Sequence, residues 1–105
     1  MSEKFNALKI NELDNVAVAL RSIKAGELLS MQNQKEEIRI SEDIQYGHKV
    51  AIASIPLNGK VLKYGECMGI ATEDISIGYH VHVSNIRGLT EEDKATTIYG
   101  RGNEI

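Results

Sequence analysis

The sequence predicts an all-β domain of about seven short strands, and three observations carry that prediction. Apolar residues come in short runs with alternating neighbours, as in Ile38 and Ile40 around Arg39, which is the period of a strand. A phrase recurs in which polar residues precede an isoleucine and a glycine follows within one turn, at Ile23 and Gly26, Ile44 and Gly47, Ile55 and Gly59, and Ile75 and Gly78. Glycine reaches positive φ at little steric cost, so each phrase reads as a turn that redirects the chain into a new strand. No helix-length pattern appears before Thr90.

The first strand is expected at residues 7–10, and the second at 16–20, Val-Ala-Val-Ala-Leu. Asp14 and Asn15 precede the second, and such short polar side chains bond nearby backbone in turns. The third is expected at 37–40 and the fourth at 49–53, where Val50 and Ile52 sit between alanines. Pro56 follows as a turn residue, because proline donates nothing to a ladder. The fifth and sixth are expected at 60–64 and 68–71, around Gly65, and the seventh at 79–84. Thr90, Glu91, Glu92 and Asp93 then resemble the start of a capped helical turn before Lys94 and Ala95. The segment from Tyr99 to Ile105 holds two glycines and little to bury, so it is expected to be either a loose tail or one ordered by a partner.

With 105 residues, the chain can enclose one core and little more. No apolar run approaches the ~20 residues of a membrane helix, and the opening Met-Ser-Glu-Lys-Phe has no export pattern, so a cytoplasmic protein is expected. The single cysteine, Cys67, excludes an internal disulfide and any metal site built on several thiolates. Between Glu66 and Met68 it reads as a buried strand residue. The net charge of -3 and the lack of Trp argue against nucleic acid, which calls for a basic stripe and stacking rings.

The chemistry concentrates at Gly78 to Asn85, Gly-Tyr-His-Val-His-Val-Ser-Asn. In an extended strand His80, His82 and Ser84 share one face, while Val81 and Val83 share the other. Two imidazoles about 7 Å apart along one face can converge on one metal ion or one anionic substrate, or stand as solvated surface residues. His48 and Lys49 after Gly47, and Lys63 and Tyr64 before Gly65, make two polar clusters at strand ends. There lysines either neutralise an acidic substrate or serve solubility. Asn85 either satisfies backbone at the strand end or bonds a substrate hydroxyl. No phosphate loop or paired-cysteine motif accompanies these residues.

Four stretches, Asp14 to Leu20, Gly47 to Ala51, Lys63 to Glu66 with Gly69 to Ala71, and Gly78 to Asn85, stand in the same order as in the small β-clip, or SAF, domain of altronate and galactarate dehydratases. The chain resembles that family over roughly residues 8 to 88, and it is also similar to the small subunit of sulfolactate sulfo-lyase. The resemblance implies a SAF-like β-clip over residues 1–88 and a C-terminal tail over 89–105 available for docking to a partner. It also implies a small subunit or N-terminal domain of a carbon-oxygen hydro-lyase acting on a sugar acid, inactive without a large catalytic subunit. His80 and His82 would be catalytic residues and ligands of a divalent ion, iron, manganese or zinc, completed by the partner. His48, Lys49, Lys63 and Asn85 would bind substrate. The family run commonly carries a third histidine where Ser84 stands here, so only the pair transfers. Exposed strand edges would also allow a homo-oligomer. The alternative reading is a binding module for a sugar acid or a protein, without catalysis.

Overall fold

The computed structural model describes residues 5–94 of the chain. Among the described residues, seven strands form two antiparallel sheets. The first sheet has the order β1 (Ala7–Leu8), β2 (Val16–Ala19), β3 (Lys49–Ala51), β6 (His80–Val81), and the second has β4 (Lys60–Lys63), β5 (Glu66–Ala71), β7 (Ile86–Arg87). The all-β prediction holds.

Both faces of the first sheet are covered. Ala7, Ala17, Ala19 and Val50 face a core completed by Ile23, Leu29, Met31, Ile38, Ile40 and Ile44. Val16, Ala51 and Val81 face a second core with Ile55, Val61, Ala71 and Ile75. A strand packed on both sides leaves no solvent face, which explains why β2 reads Val-Ala-Val-Ala and why Val50 and Ala51 are both fully buried. Small residues on alternate positions let the flanking layers approach.

The recurring phrase has a structural cause. Its four isoleucines pair two by two: Ile23 and Ile44 exchange backbone bonds of 2.8 Å in the first core, and Ile55 and Ile75 bonds of 2.8 and 2.7 Å in the second. The acid before the second isoleucine of each pair accepts from the other turn, Asp43 from Ala25 N–H at 2.9 Å and Asp74 from Leu57 N–H at 2.8 Å. Each core is therefore closed by the same device. Each isoleucine is at most 3% exposed, which is worth about 1.5–3 kcal/mol apiece from apolar burial.

The strand roster departs from expectation in three places. Residues 37–40 form one isolated bridge, Arg39 with Leu28, in place of a strand. The expected strand at 79–84 stops at Val81, because Asn85 and Ile86 N–H both donate to His82 carbonyl, at 2.9 and 3.1 Å, and close a turn. After that turn comes β7, which no alternation announced. Cys67 lies on β5 but is half-buried, its Sγ 3.4 Å from Gly69 carbonyl, next to a bulge where the register shifts. The expected helical turn forms at residues 91–94. Its Thr90 and Asp93 cap one another reciprocally, at 2.9 and 3.0 Å. The tail from Tyr99 to Ile105 lies outside the described residues.

Two adjacent residues with sequence-distant partners fix how the sheets meet. Asp14 is buried and accepts N–H bonds from Asn11 (3.0 Å), Tyr64 (3.1 Å) and Gly65 (2.8 Å). Asn15 donates to Lys60 carbonyl at 2.8 Å and accepts from Leu62 N–H at 2.8 Å. The expected turn role is thus real, and it reaches across about fifty residues of chain. Tyr64 and Gly65, at φ of 61° and 75°, make the two-residue hairpin between β4 and β5 that calls for positive φ at both positions.

Candidate functional site: a histidine cluster at the end of the first sheet

In the register, Val50 of β3 lies opposite His80 of β6, and paired residues share a face. His48 is two residues from Val50 and takes the same side. The result is a cluster of three imidazoles at the ends of two neighbouring strands, His48 just before β3 and His82 just after β6. His48 Nδ1 lies 2.9 Å from His80 Nε2, a hydrogen bond in which one ring must donate and the other accept. Their centroids are 5.0 Å apart and nearly parallel, and His82 leans on His80 with centroids at 4.3 Å. His80 and His82 do share an orientation, through the turn and not through a long strand.

Ser84 and Val83 do not follow the expected alternation. Val83, expected on the buried side, is 83% exposed at the tip of the turn, and Ser84 is an exposed turn residue. Asn85 holds this turn from within. It is buried, its amide donates to His80 carbonyl at 2.8 Å, and its Oδ1 accepts from His82 N–H at 2.9 Å. Of its two expected roles, the structure shows the backbone one.

Glu42 is the contributor that sequence reading missed. Its Oε2 accepts from the His80 N–H at 2.9 Å; its place just ahead of Ile44 in the recurring phrase was the available signal. His80 itself is held below the ordinary histidine range, first by burial and then by the charges of His82 and His48, with Glu42 opposing. It therefore stays neutral at pH 7, able to accept a proton or a hydrogen bond.

Lys49 is not part of this cluster. It is opposite Val81 and on the side of Ala51, in the second core, so its side chain leaves from the other face. Burial, and then the charge of Lys63, push its ammonium below the usual lysine range. Lys63 Nζ lies 5.0 Å from the Tyr64 ring. The five expected cationic or imidazole residues thus divide into two groups on opposite faces.

Among the described residues, no group of three or more histidine, cysteine, aspartate or glutamate side chains could hold a metal ion. Within the cluster His48 and His80 bond one another through one nitrogen each, and the near carboxylate, Glu42, bonds backbone. The described residues alone do not fit a divalent ion.

Residues 5–89 match the family described as the altronate/galactarate dehydratase SAF domain. The chain belongs to this family. Altronate dehydratase of Bacillus subtilis is 45% identical over 80 residues, which is 76% of this chain and 16% of that protein. Galactarate dehydratase (L-threo-forming) of Escherichia coli is 33% identical over 81 residues, covering 75% of this chain and 14% of the relative. The (2R)-sulfolactate sulfo-lyase subunit alpha of Chromohalobacter salexigens is 30% identical over 74 residues, covering 67% of this chain and 79% of that subunit. The chain thus spans about one sixth of the dehydratases and most of the sulfo-lyase subunit. No helix among the described residues is long and apolar enough to cross a membrane.

Proposed function

We propose that this SAF domain supplies the imidazole cluster of a sugar-acid hydro-lyase of the altronate or galactarate type, and that most of the catalytic machinery lies on a large subunit or region. The observation that carries the reading is the convergence of His48, His80 and His82 at one end of the sheet, beside apolar side chains left in water. Val83 next to His82 and Tyr46 two residues before His48 are 83% and 71% exposed. Such exposure at a rim suits a surface that another polypeptide covers.

In a dehydration of this class a base removes the proton beside the carboxylate, and hydroxide leaves the neighbouring carbon as water. Neutral His80, relayed to His48 through the 2.9 Å contact, can take a proton at one ring and release it at the other. His82, tilted against His80 and without a ring hydrogen bond among the described residues, offers its nitrogens to a substrate hydroxyl. Asn85 and Glu42 act as positioning residues, fixing the backbone on both sides of His80. Any divalent ion that His80 and His82 help to hold draws its other donors from the partner, and none of these steps passes through it. The reading includes cytoplasmic residence, where a lone thiol such as Cys67 stays reduced.

The test is reconstitution with a large dehydratase subunit and assay on altronate, galactarate and a sulfonated analogue. The chain alone is expected to be inactive. In the complex, His80→Asn and His82→Asn should each lower kcat about 10²-fold or more, the usual worth of a positioned acid or base. Turnover by the isolated chain, or full activity of both variants, would refute the proposal and favour a binding module.

A further inference from the structure

The two turns that Asp14 ties together carry an apolar knob. Leu13, in the first turn, is 68% exposed, and Tyr64, at the tip of the hairpin between β4 and β5, is 55% exposed. The three bonds to the Asp14 carboxylate hold both turns in place, so the knob is ordered before anything touches it. Beside it lies a groove of about 1070 Å³, lined by residues 9–12 and 32–36 and, deeper, by the buried Met31 and Ile38. Asn11 belongs to both features. It lines the groove, and its Nδ2 is 2.9 Å from where a Cβ on Gly65 would stand at the hairpin tip.

Charge indicates what fits there. One wall of the groove carries Lys9 and Glu12 and the other Lys35 and Glu36, and among the described residues none of the four is in an ion pair. A rim with equal charge of both signs draws neither a nucleic acid nor an anionic lipid surface. It does complement itself: an isologous contact sets one patch against its own copy, so each lysine can face a glutamate. A knob and a groove joined through one segment also satisfy a two-fold axis, which places both knobs in both grooves at once.

We propose that this chain forms a two-fold dimer in which the knob of Leu13 and Tyr64 on each copy seats in the groove of the other. The contact uses turns and no strand edge. It lies at the opposite end of β2 from the imidazoles: Asp14 and Asn15 precede β2, whereas at its far end Ala19 N–H donates to His48 carbonyl at 2.9 Å. The dimer is therefore independent of the functional reading above and leaves the histidines of both copies open to another polypeptide.

Sedimentation velocity on the full chain, from micromolar to millimolar concentration, should show a monomer–dimer equilibrium. Leu13→Ser should weaken it about tenfold or more, the worth of one apolar side chain taken from water, and should leave the thermal midpoint of the monomer unchanged. The double variants Lys9→Glu/Lys35→Glu and Glu12→Lys/Glu36→Lys should each be monomeric where the parent chain is dimeric, and an equimolar mixture of the two should dimerise again. A parent chain that stays monomeric up to millimolar concentration, even one that binds a different polypeptide through this surface, would overturn the proposal. A dimer that neither Leu13→Ser nor the charge variants weaken would also overturn it, and both results would leave the proposed function standing.

Discussion

Replacing Asp14 by alanine should cost this small domain a large share of its stability. The carboxylate is 5% exposed and receives three backbone N–H groups, from Asn11, Tyr64 and Gly65 at 2.8–3.1 Å. A hydrogen bond to a charged acceptor is worth about 1.5–3 kcal/mol net, and three on one group are not additive. Water reaches part of the vacated space, since Asn11 and Tyr64 are exposed. Tyr64 also sits at φ 61°, a conformation that costs of order 1–3 kcal/mol in a residue other than glycine and here relies on the bond for support. The sum is about 3–5 kcal/mol, against the 5–15 kcal/mol of a typical domain. Urea unfolding followed by far-ultraviolet circular dichroism would read it as a lower midpoint at an unchanged slope. Asp14→Asn keeps one acceptor oxygen but turns an NH2 toward the remaining donors, so it should lose at least half as much. A loss below about 1 kcal/mol for the alanine variant would refute the reasoning, by showing that solvent replaces the carboxylate at no cost.

Three further outcomes are expected. Gly78→Ala places a Cβ against the carbonyl oxygen of Arg39 and 3.2 Å from Ser41 Oγ at a φ of +91°, so it should lose about 3 kcal/mol or more and lower Tm by roughly 12–24 °C in a thermal scan. Asn85→Ala removes both side-chain bonds that pin the His82 turn, leaving its backbone bonds. It should lose about 1–3 kcal/mol and release His82 from His80, seen as lost contacts between their rings by NMR while the His48–His80 pair persists. Stability should fall as pH drops below the ordinary histidine value of 6.5, because His80 is held below that value in the fold. In that range the unfolded chain binds the proton that the folded chain refuses. The stabilisation is complete above pH 6.5, and His80→Asn should flatten the slope of a pH series of unfolding midpoints.

The all-β class, the glycine turns and the pairing of His80 with His82 were legible because each rests on local chemistry: alternation, positive φ, and spacing by two. His48 could be read as a polar residue at a strand end, but not as a ring in contact with His80. That contact depends on β3 lying beside β6, a pairing across thirty-two residues. The split of Lys49 from His48 follows from adjacency on a strand, and that both faces of the sheet are interior was signalled only by the unbroken apolar runs of Val16–Ala19 and Val50-Ala51. The end of the last expected strand was hidden for a specific reason. Val81 and Val83 look alike in the sequence, and only the buried amide of Asn85, bonding backward to residues 80 and 82, decides that one is core and the other lies in solvent. Ile86–Arg87 was missed because two residues carry no period.

The paired isoleucines bear on how the imidazoles keep their spacing. His48 follows the turn anchored by Ile44, whereas His80 follows the turn anchored by Ile75, and those anchors sit in separate apolar compartments. Because β3 and β6 are hydrogen-bonded neighbours in one sheet, the ring-to-ring contact is a gauge of how the segments at their ends sit against each other. A small shift of the turn before His48, imposed by a docked neighbour, would open it without breaking the sheet and would change which nitrogen carries the shared proton. Nitrogen-15 spectra of the imidazoles can follow such a movement directly.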